Sequence, residues 1–562
     1  MILQRRTATV IAIALLAILL AYVLYPAART FEAGLSLENW LRVFSSWNSA
    51  NVRALYNSVS ISIFTVAGSA VVGTGFAYAL FRYQVPAKGF FATVAAIPLA
   101  LPPLVGVLAF LFLYGESGIL PRVIQSVFSL ESVPFAFSGL WAVWLVHVYS
   151  MYVYFFLFVG AALRRIDRST LEASADLGAS STATFWRVIL PELRPAIVSA
   201  SLLVFMISMA SFTAPLLFAG TEQFLTLQIY NYKVNGSMAL SATVSTLLTL
   251  ICVAFLFALE WSNRTGIRGA SKGIQPPPNP VDAGPTRIGV IAASILFAAF
   301  VLLPVLTVVL VSFAREGSWT TQILPSQYTA DNYVKLFGDA SFALPIRNSL
   351  LLATISTSAN LVFGVAAALT LVKTRAPFKW LIRLLVILPF AIPGTVVAIN
   401  LIITFSRESA LSFGEILLGT FWLMPLAYFI RNIPIIVRST IASLETFDDR
   451  LIEASADLGA RASRTFRSVV LPAILPGILA GTLLTFVASV GEFVSSILLY
   501  VYQNRPISVE IWSQLRIYDF GAAAAYSVLL MLIILAASVC VRILGGRGRE
   551  RPRLPQPNGV PI

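Results

Sequence analysis

The chain has 562 residues, of which 58% are hydrophobic and only 11% charged, with a formal net charge of +14. A soluble globular protein is about 25% charged, so a water-soluble fold of this size could not cover its own surface and the chain must sit in lipid. The positive charge does not indicate nucleic acid, because the basic residues form short clusters between long apolar runs rather than one patch or tail.

A spanning helix needs about 20 predominantly apolar residues. The first candidate, near 8–26, follows Arg5 and Arg6 and precedes Pro26-Ala27-Ala28, a pattern shared with secretory signals. It is long for a signal core, and residues 288–313 repeat it, with Leu303-Pro304 placed much as Tyr25-Pro26 is. It therefore reads as a retained first span. Five more spans are expected near 57–81, 90–114, 138–163, 196–220 and 239–260. A second set of six follows near 288–313, 348–372, 381–405, 419–437, 477–501 and 521–543. Cys252 and Cys540 fall inside these runs and read as small packing residues.

Residues 263–287, with Gln275-Pro276-Pro277-Pro278-Asn279-Pro280, are too polar for lipid and too proline-rich for helix. They divide the chain into a first six-span half (1–262), this cytoplasmic linker, a second half (288–545) and a basic tail (546–562) suited to anionic headgroups. Placing both termini in the cytoplasm puts 27 of the 39 Lys and Arg residues on that side, as orientation by basic loops requires.

The halves repeat each other. Glu172 opens EASADLGASSTATFWRVILP and Glu453 opens EASADLGARASRTFRSVVLP, with 13 of 20 positions identical at an offset of 281. Asn57-Ser58 answers Asn348-Ser349 at an offset of 291, as Pro98 and Pro102 answer Pro389 and Pro393. The change of offset places ten extra residues in the first half, in the outer loop around Glu116–Phe137. Residues 38–44 and 331–337 match in character and read as amphipathic segments at the outer membrane surface. Six spans per half make the repeat parallel, with its axis along the membrane normal. The expected fold is an all-α integral membrane protein of two six-helix bundles around a central pathway.

Both near-identical blocks fall in a cytoplasmic loop between the fourth and fifth spans. Leu171 through Leu177 favours helix, Gly178 suits a left-handed helix end, and a second short helix from about Ser181 is expected to stop at Pro191. Gly459 and Pro472 repeat this arrangement. The product is a compact knob projecting from the membrane. Ser169 offers Glu172 a local capping role, but its counterpart is Arg450, which cannot cap in that way, while Glu453 remains.

The pattern of Glu-Ala, a glycine five residues on, and Leu-Pro about ten residues later resembles the EAA loop of type I ABC importer permeases. Ser174 and Ser455 stand where that family commonly has a second alanine. The resemblance implies docking of two copies of a separate ABC ATPase through Glu172, Ala173, Asp176, Gly178 and Glu453, Ala454, Asp457, Gly459. It also implies an external or periplasmic substrate-binding protein and a bacterial inner-membrane location. The first span of each half should lie outside a five-span core. Fusion of both halves in one chain resembles the ferric iron permeases most and the thiamine permeases less; phosphonate and polyamine systems have similar loops.

Pro98, Pro102 and Pro103, with Pro389 and Pro393, interrupt corresponding third spans and are pathway candidates, though packing kinks would look the same. Glu492 inside an apolar span is a functional hypothesis by default, and its counterpart is Ser211. His147, the sole histidine, reads as a hydrogen-bonded packing residue, Arg431 as a snorkelling or paired cation, and Gly477 with Gly481 as a helix-packing motif. No G-x-x-x-x-G-K-[ST] loop occurs. No catalytic residue, metal ligand or cofactor site is expected in this chain, ATP and Mg belonging to the partner ATPase. A membrane enzyme finds no supporting constellation, and an ATP-independent transporter leaves the paired knobs unexplained.

Overall fold

The computed structural model describes residues 5–46, 48–266, 285–319 and 322–546. Most of the expected linker and nearly all of the expected basic tail lie outside these residues. Among the described residues strand-like pairing is limited to isolated bridges, one of them between Ala314 and Tyr328. Ten helices there are long and apolar enough to cross a membrane, and a bent pair makes an eleventh. The fourth span of the second half is Leu423–Glu445, longer than expected toward the knob. Arg431, Asn432 and Arg438 dilute its apolar character below that of the other spans.

Neither third span is a straight helix. In the second half Lys379–Ala391 and Gly394–Phe405 meet at 111°. In the first, Lys88–Ala100 and Pro103–Tyr114 are separated at Leu101-Pro102. Pro102 and Pro393 adopt extended backbone at these joints, where their missing N–H withdraws no helical bond. Pro98 and Pro389 stay inside the preceding helices. The fifth spans also break. Their long helices end at Met209 and Val490, and the short helices Thr213–Phe218 and Ser496–Leu499 follow. The expected spans 196–220 and 477–501 therefore each contain a break.

Three prolines sit two residues after a π-turn: Pro26 after Leu20–Leu24, Pro191 after Phe185–Ile189, and Pro472 after Phe466–Val470. A π-turn bonds five residues back rather than four, which opens the ring where proline would meet the carbonyl before it. The helix therefore passes through each proline. The first span runs unbroken over Arg6–Gly34, and the second helix of each knob continues into the fifth span as Ser181–Met209 and Ala462–Val490. The expected stops at Pro191 and Pro472 do not occur.

Each first span packs mainly on the opposite half. Arg6–Gly34 lies along both pieces of the second half's third span and the first half's sixth. Ile288–Val311 lies along both pieces of the first half's third span and the second half's sixth. Tyr22 Oη donates to Leu411 O at 2.9 Å, Tyr149 Oη donates to Val301 O at 3.0 Å, and Phe76 stacks on Phe297 at 3.8 Å. The two halves are clasped rather than merely apposed. Cys252 is buried, but Cys540 is exposed on the outer surface of the last span rather than packed inside.

The repeated Asn-Ser pairs tie down the loops after the fifth spans. Asn57 Nδ2 donates to Glu222 Oε2 and Gln223 O, and Asn348 Nδ2 donates to Gln503 O and Arg505 O. Ser58 Oγ accepts from Leu225 N, and Ser349 Oγ accepts from Ile507 N, each at the first residue of a short helix. Replacing Asn348 by Ala leaves two carbonyls without their donor and should destabilise the second half by about 1–3 kcal/mol. Thermal unfolding of the purified chain, followed by intrinsic fluorescence, is expected to show a lower midpoint than wild type.

Candidate functional site

The knobs are built alike. Helices Arg168–Asp176 and Arg450–Asp457 end before glycines with φ of 71° and 73°, a conformation glycine takes without the penalty other residues meet. Across each elbow Ser174 Oγ and Thr184 Oγ1, and Ser455 Oγ and Thr465 Oγ1, lie 2.9 Å apart. The serines that depart from the common alanine therefore lock one helix of the knob to the other. Asp167, not Ser169, caps the first helix, its carboxylate accepting from Ser169 N at 3.2 Å. Asp448 repeats this by accepting from Arg450 N at 3.0 Å. Glu172 pairs with Arg168 on the surface, with Ala173 and Asp176 exposed on the same helix, and Glu453, Ala454 and Asp457 are exposed in the same way on the second knob. Leu177 and Leu458, one residue before the elbow glycines, are 87% and 88% exposed. Two equivalent apolar tips thus stand in the open, each rimmed by acidic side chains.

From the knob, a continuous helix leads to the fifth-span break. Here the halves share a scaffold. The main-chain carbonyl of Ser211 accepts from Thr226 Oγ1 at 2.7 Å, and that of Glu492 accepts from Ser508 Oγ at 2.8 Å. One turn before each break, Ser208 Oγ meets Ser62 Oγ at 3.0 Å and Ser489 Oγ meets Ser356 Oγ at 3.2 Å. His147 Nδ1 lies 3.1 Å from Ser208 Oγ, and Asn432 Nδ2 donates to Ser489 Oγ at 2.9 Å.

The side chains at the breaks differ. His147 Nε2 lies 2.8 Å from Ser211 Oγ. In the second half Arg431 Nη1 pairs with Glu492 Oε1 at 3.1 Å, and that oxygen also accepts from Ser495 N and Ser495 Oγ. The two breaks meet at the centre. Phe212 and Phe493, equivalent by the repeat, have ring centroids 6.1 Å apart and are each 1% exposed. Pro102 of the first half abuts Gly491 of the second, where an added methyl would lie 3.2 Å from its Cβ. The structure thus gathers Pro102, Ser211 and Glu492 around one point. Pro393 precedes Gly394, on which Arg431 lies, whereas Pro98 and Pro389 sit a turn away inside their helices. Gly477 and Gly481 pack against Ser443 and Ser439 of the fourth span.

The model of the binding-protein-dependent transport system inner membrane component family matches residues 69–264 and again 360–549. The chain belongs to this family. It is a tandem-fused, multi-pass inner-membrane permease of an ATP-binding-cassette importer. A probable ABC transporter permease of Sinorhizobium fredii is 29% identical over 544 residues, spanning 94% of both chains. A ferric transport system permease of Actinobacillus pleuropneumoniae is 26% identical over 86% of this chain and 70% of its own length. A crystal structure of a bacterial ABC transporter that imports the acidic polysaccharide alginate aligns with 47% of this permease and 95% of that chain, at 19% identity and a TM-score of 0.40.

Sequence reasoning missed the fifth-span breaks and the phenylalanine pair. The equivalence of Phe212 and Phe493 under the 281-residue offset was the available signal. It also missed the Ser–Thr locks in the knobs. Ser174→Ala with Ser455→Ala removes one hydrogen bond from each elbow, about 1 kcal/mol apiece. Amide exchange over residues 168–184 and 450–465 of the permease is expected to speed up roughly fivefold.

Proposed function

We propose that this permease carries ferric iron, delivered by an external binding protein, through the membrane by alternating access. Two copies of a separate ATPase dock on the knobs and supply the energy. This chain has no cofactor of its own; ATP and Mg are held by the ATPase. The knobs and both termini face the cytoplasm, where the basic loops gather.

The observation that carries the reading is the unbroken helix from each exposed knob to the central break. Leu177 and Leu458 stand exposed at equivalent places on the two knobs, where each can enter a hydrophobic socket on a partner. The Ser–Thr lock keeps the knob from flexing independently. Partner movement at the tip therefore reaches the fifth span as a displacement of the whole helix, and the break at its far end is where the two halves meet. Iron as substrate is supported by the Actinobacillus relative, whose ferric permease aligns over most of this chain.

The test is affinity co-purification from native membranes, comparing wild type with a Gly178→Pro, Gly459→Pro double variant. Proline fixes φ near −65°, which the positive-φ elbows cannot accept. The expected result is an ATPase that accompanies the wild-type permease and is lost from the variant. Elemental analysis of the co-purified binding protein and uptake of radioactive ferric iron should both report iron. An intact permease that brings down no ATPase would refute the docking reading. A binding protein loaded with another solute, such as thiamine, a phosphonate or a polyamine, would refute iron alone.

A further inference from the structure

The central breaks share their scaffold but not their charge, and that asymmetry bears on how the pathway is held shut. Glu492 is 8% exposed. An ionised carboxylate is stable at such a site only with a cation and hydrogen-bond donors around it. Arg431 Nη1, Ser495 N and Ser495 Oγ supply these. The arginine reaches the carboxylate across Gly394, the first residue of the second piece of the third span, where any Cβ would collide with its guanidinium. The repeat places Pro103 opposite Gly394 and Ser150 opposite Arg431, so the first half has neither the cation nor its seat.

One ion pair therefore joins three elements of the second half: the fourth span through Arg431, the third-span joint through Gly394, and the fifth-span break through Glu492. The break next to it also carries Phe493, which meets Phe212 at the interface of the halves. Arg431 lies eight residues from the end of Leu423–Glu445 that is remote from the knobs. At 1.5 Å per residue this is about 12 Å from that end and about 21 Å from the knob end.

We propose that the Arg431–Glu492 pair is a latch that closes the pathway on the side away from the knobs. It holds Phe493 against Phe212, and it must part before that side opens. The fifth span cannot carry the break aside without drawing Glu492 from Arg431. In the first half the same movement separates only a neutral hydrogen bond between Ser211 and His147. The second half thus sets the resistance to opening. The latch deepens the importer reading, which it needs only to say which face meets the binding protein.

The test labels Phe212→Cys, in full-length permease carrying Cys252→Ala and Cys540→Ala, with a membrane-impermeant maleimide applied to intact cells. Slow labelling is expected with the pair intact. Glu492→Gln should speed it at least about tenfold, a change of only about 1.4 kcal/mol. Ser495→Ala, which keeps both charges and removes one donor, should give an intermediate rate. Arg431→Lys should stay close to the parent, because a single N–H to oxygen contact does not need the guanidinium fork. A merely structural role would not order the variants in this way. Leu177→Cys, labelled only after lysis, confirms orientation and an intact knob. If it reacts in intact cells, the importer orientation fails and the comparison is made in inverted vesicles, where the latch makes the same prediction. Unchanged labelling of Phe212→Cys in both Glu492→Gln and Ser495→Ala would overturn the latch.

Discussion

A helix that stops inside a bilayer leaves backbone groups with no water to answer them, and each one left bare is costly. Among the described residues this permease stops helices at four such places, in the third and fifth spans of each half. Its most telling polar side chains are disposed around that constraint. Thr226 and Ser508 answer the carbonyls at the fifth-span breaks, and Ser58 and Ser349 receive the first amides of the helices beyond. Asn57 and Asn348 hold the intervening loops. With those groups satisfied, the breaks can sit side by side at the centre of the molecule, where continuous helices would leave no joint to move.

The two halves show what the repeat preserves and what it frees. Main-chain satisfaction is kept nearly position for position, because a lost donor is felt wherever the backbone leaves the helix. Side chains facing the centre have diverged. A neutral contact between His147 and Ser211 corresponds to a charged pair between Arg431 and Glu492. Just beyond the breaks, the hydrogen bond from Gln228 to Gln223 corresponds to a buried ion pair between Arg505 and Glu510 at 2.8 Å. Both changes put charge into the second half. A chain that fuses two halves can specialise them separately, which two copies of one subunit cannot do.

Much of this was legible in the sequence. The apolar runs marked the membrane, the 281-residue offset marked the parallel repeat, and Pro102 with Pro393 marked the third-span joints. A proline does not always stop a helix. Pro191 and Pro472 are carried by π-turns, and nothing in residue type distinguishes a proline that ends a helix from one absorbed by a wider turn. The fifth-span breaks left a weaker trace still. Ser211 and Phe212 are neither glycine nor proline, and the helix ends there because tertiary partners supply its terminal groups, a cause that lies 15 residues away at Thr226. The Arg431–Glu492 contact joins residues 61 apart on different spans, beyond the reach of any local pattern.

The crossing of the first spans has a consequence for how the chain is made. The groove beside the first half's third span is filled by Ile288–Val311, which the ribosome reaches only after that half has been synthesised. At about 5–20 residues per second, the first bundle waits several seconds with that face open to lipid. The second bundle meets no such delay, since Arg6–Gly34 is already in the membrane when its partner surface emerges. Maturation is therefore ordered: the later half closes on a waiting helix, and the earlier half is completed by a segment of its sibling. A chain truncated near the linker would leave that groove bare.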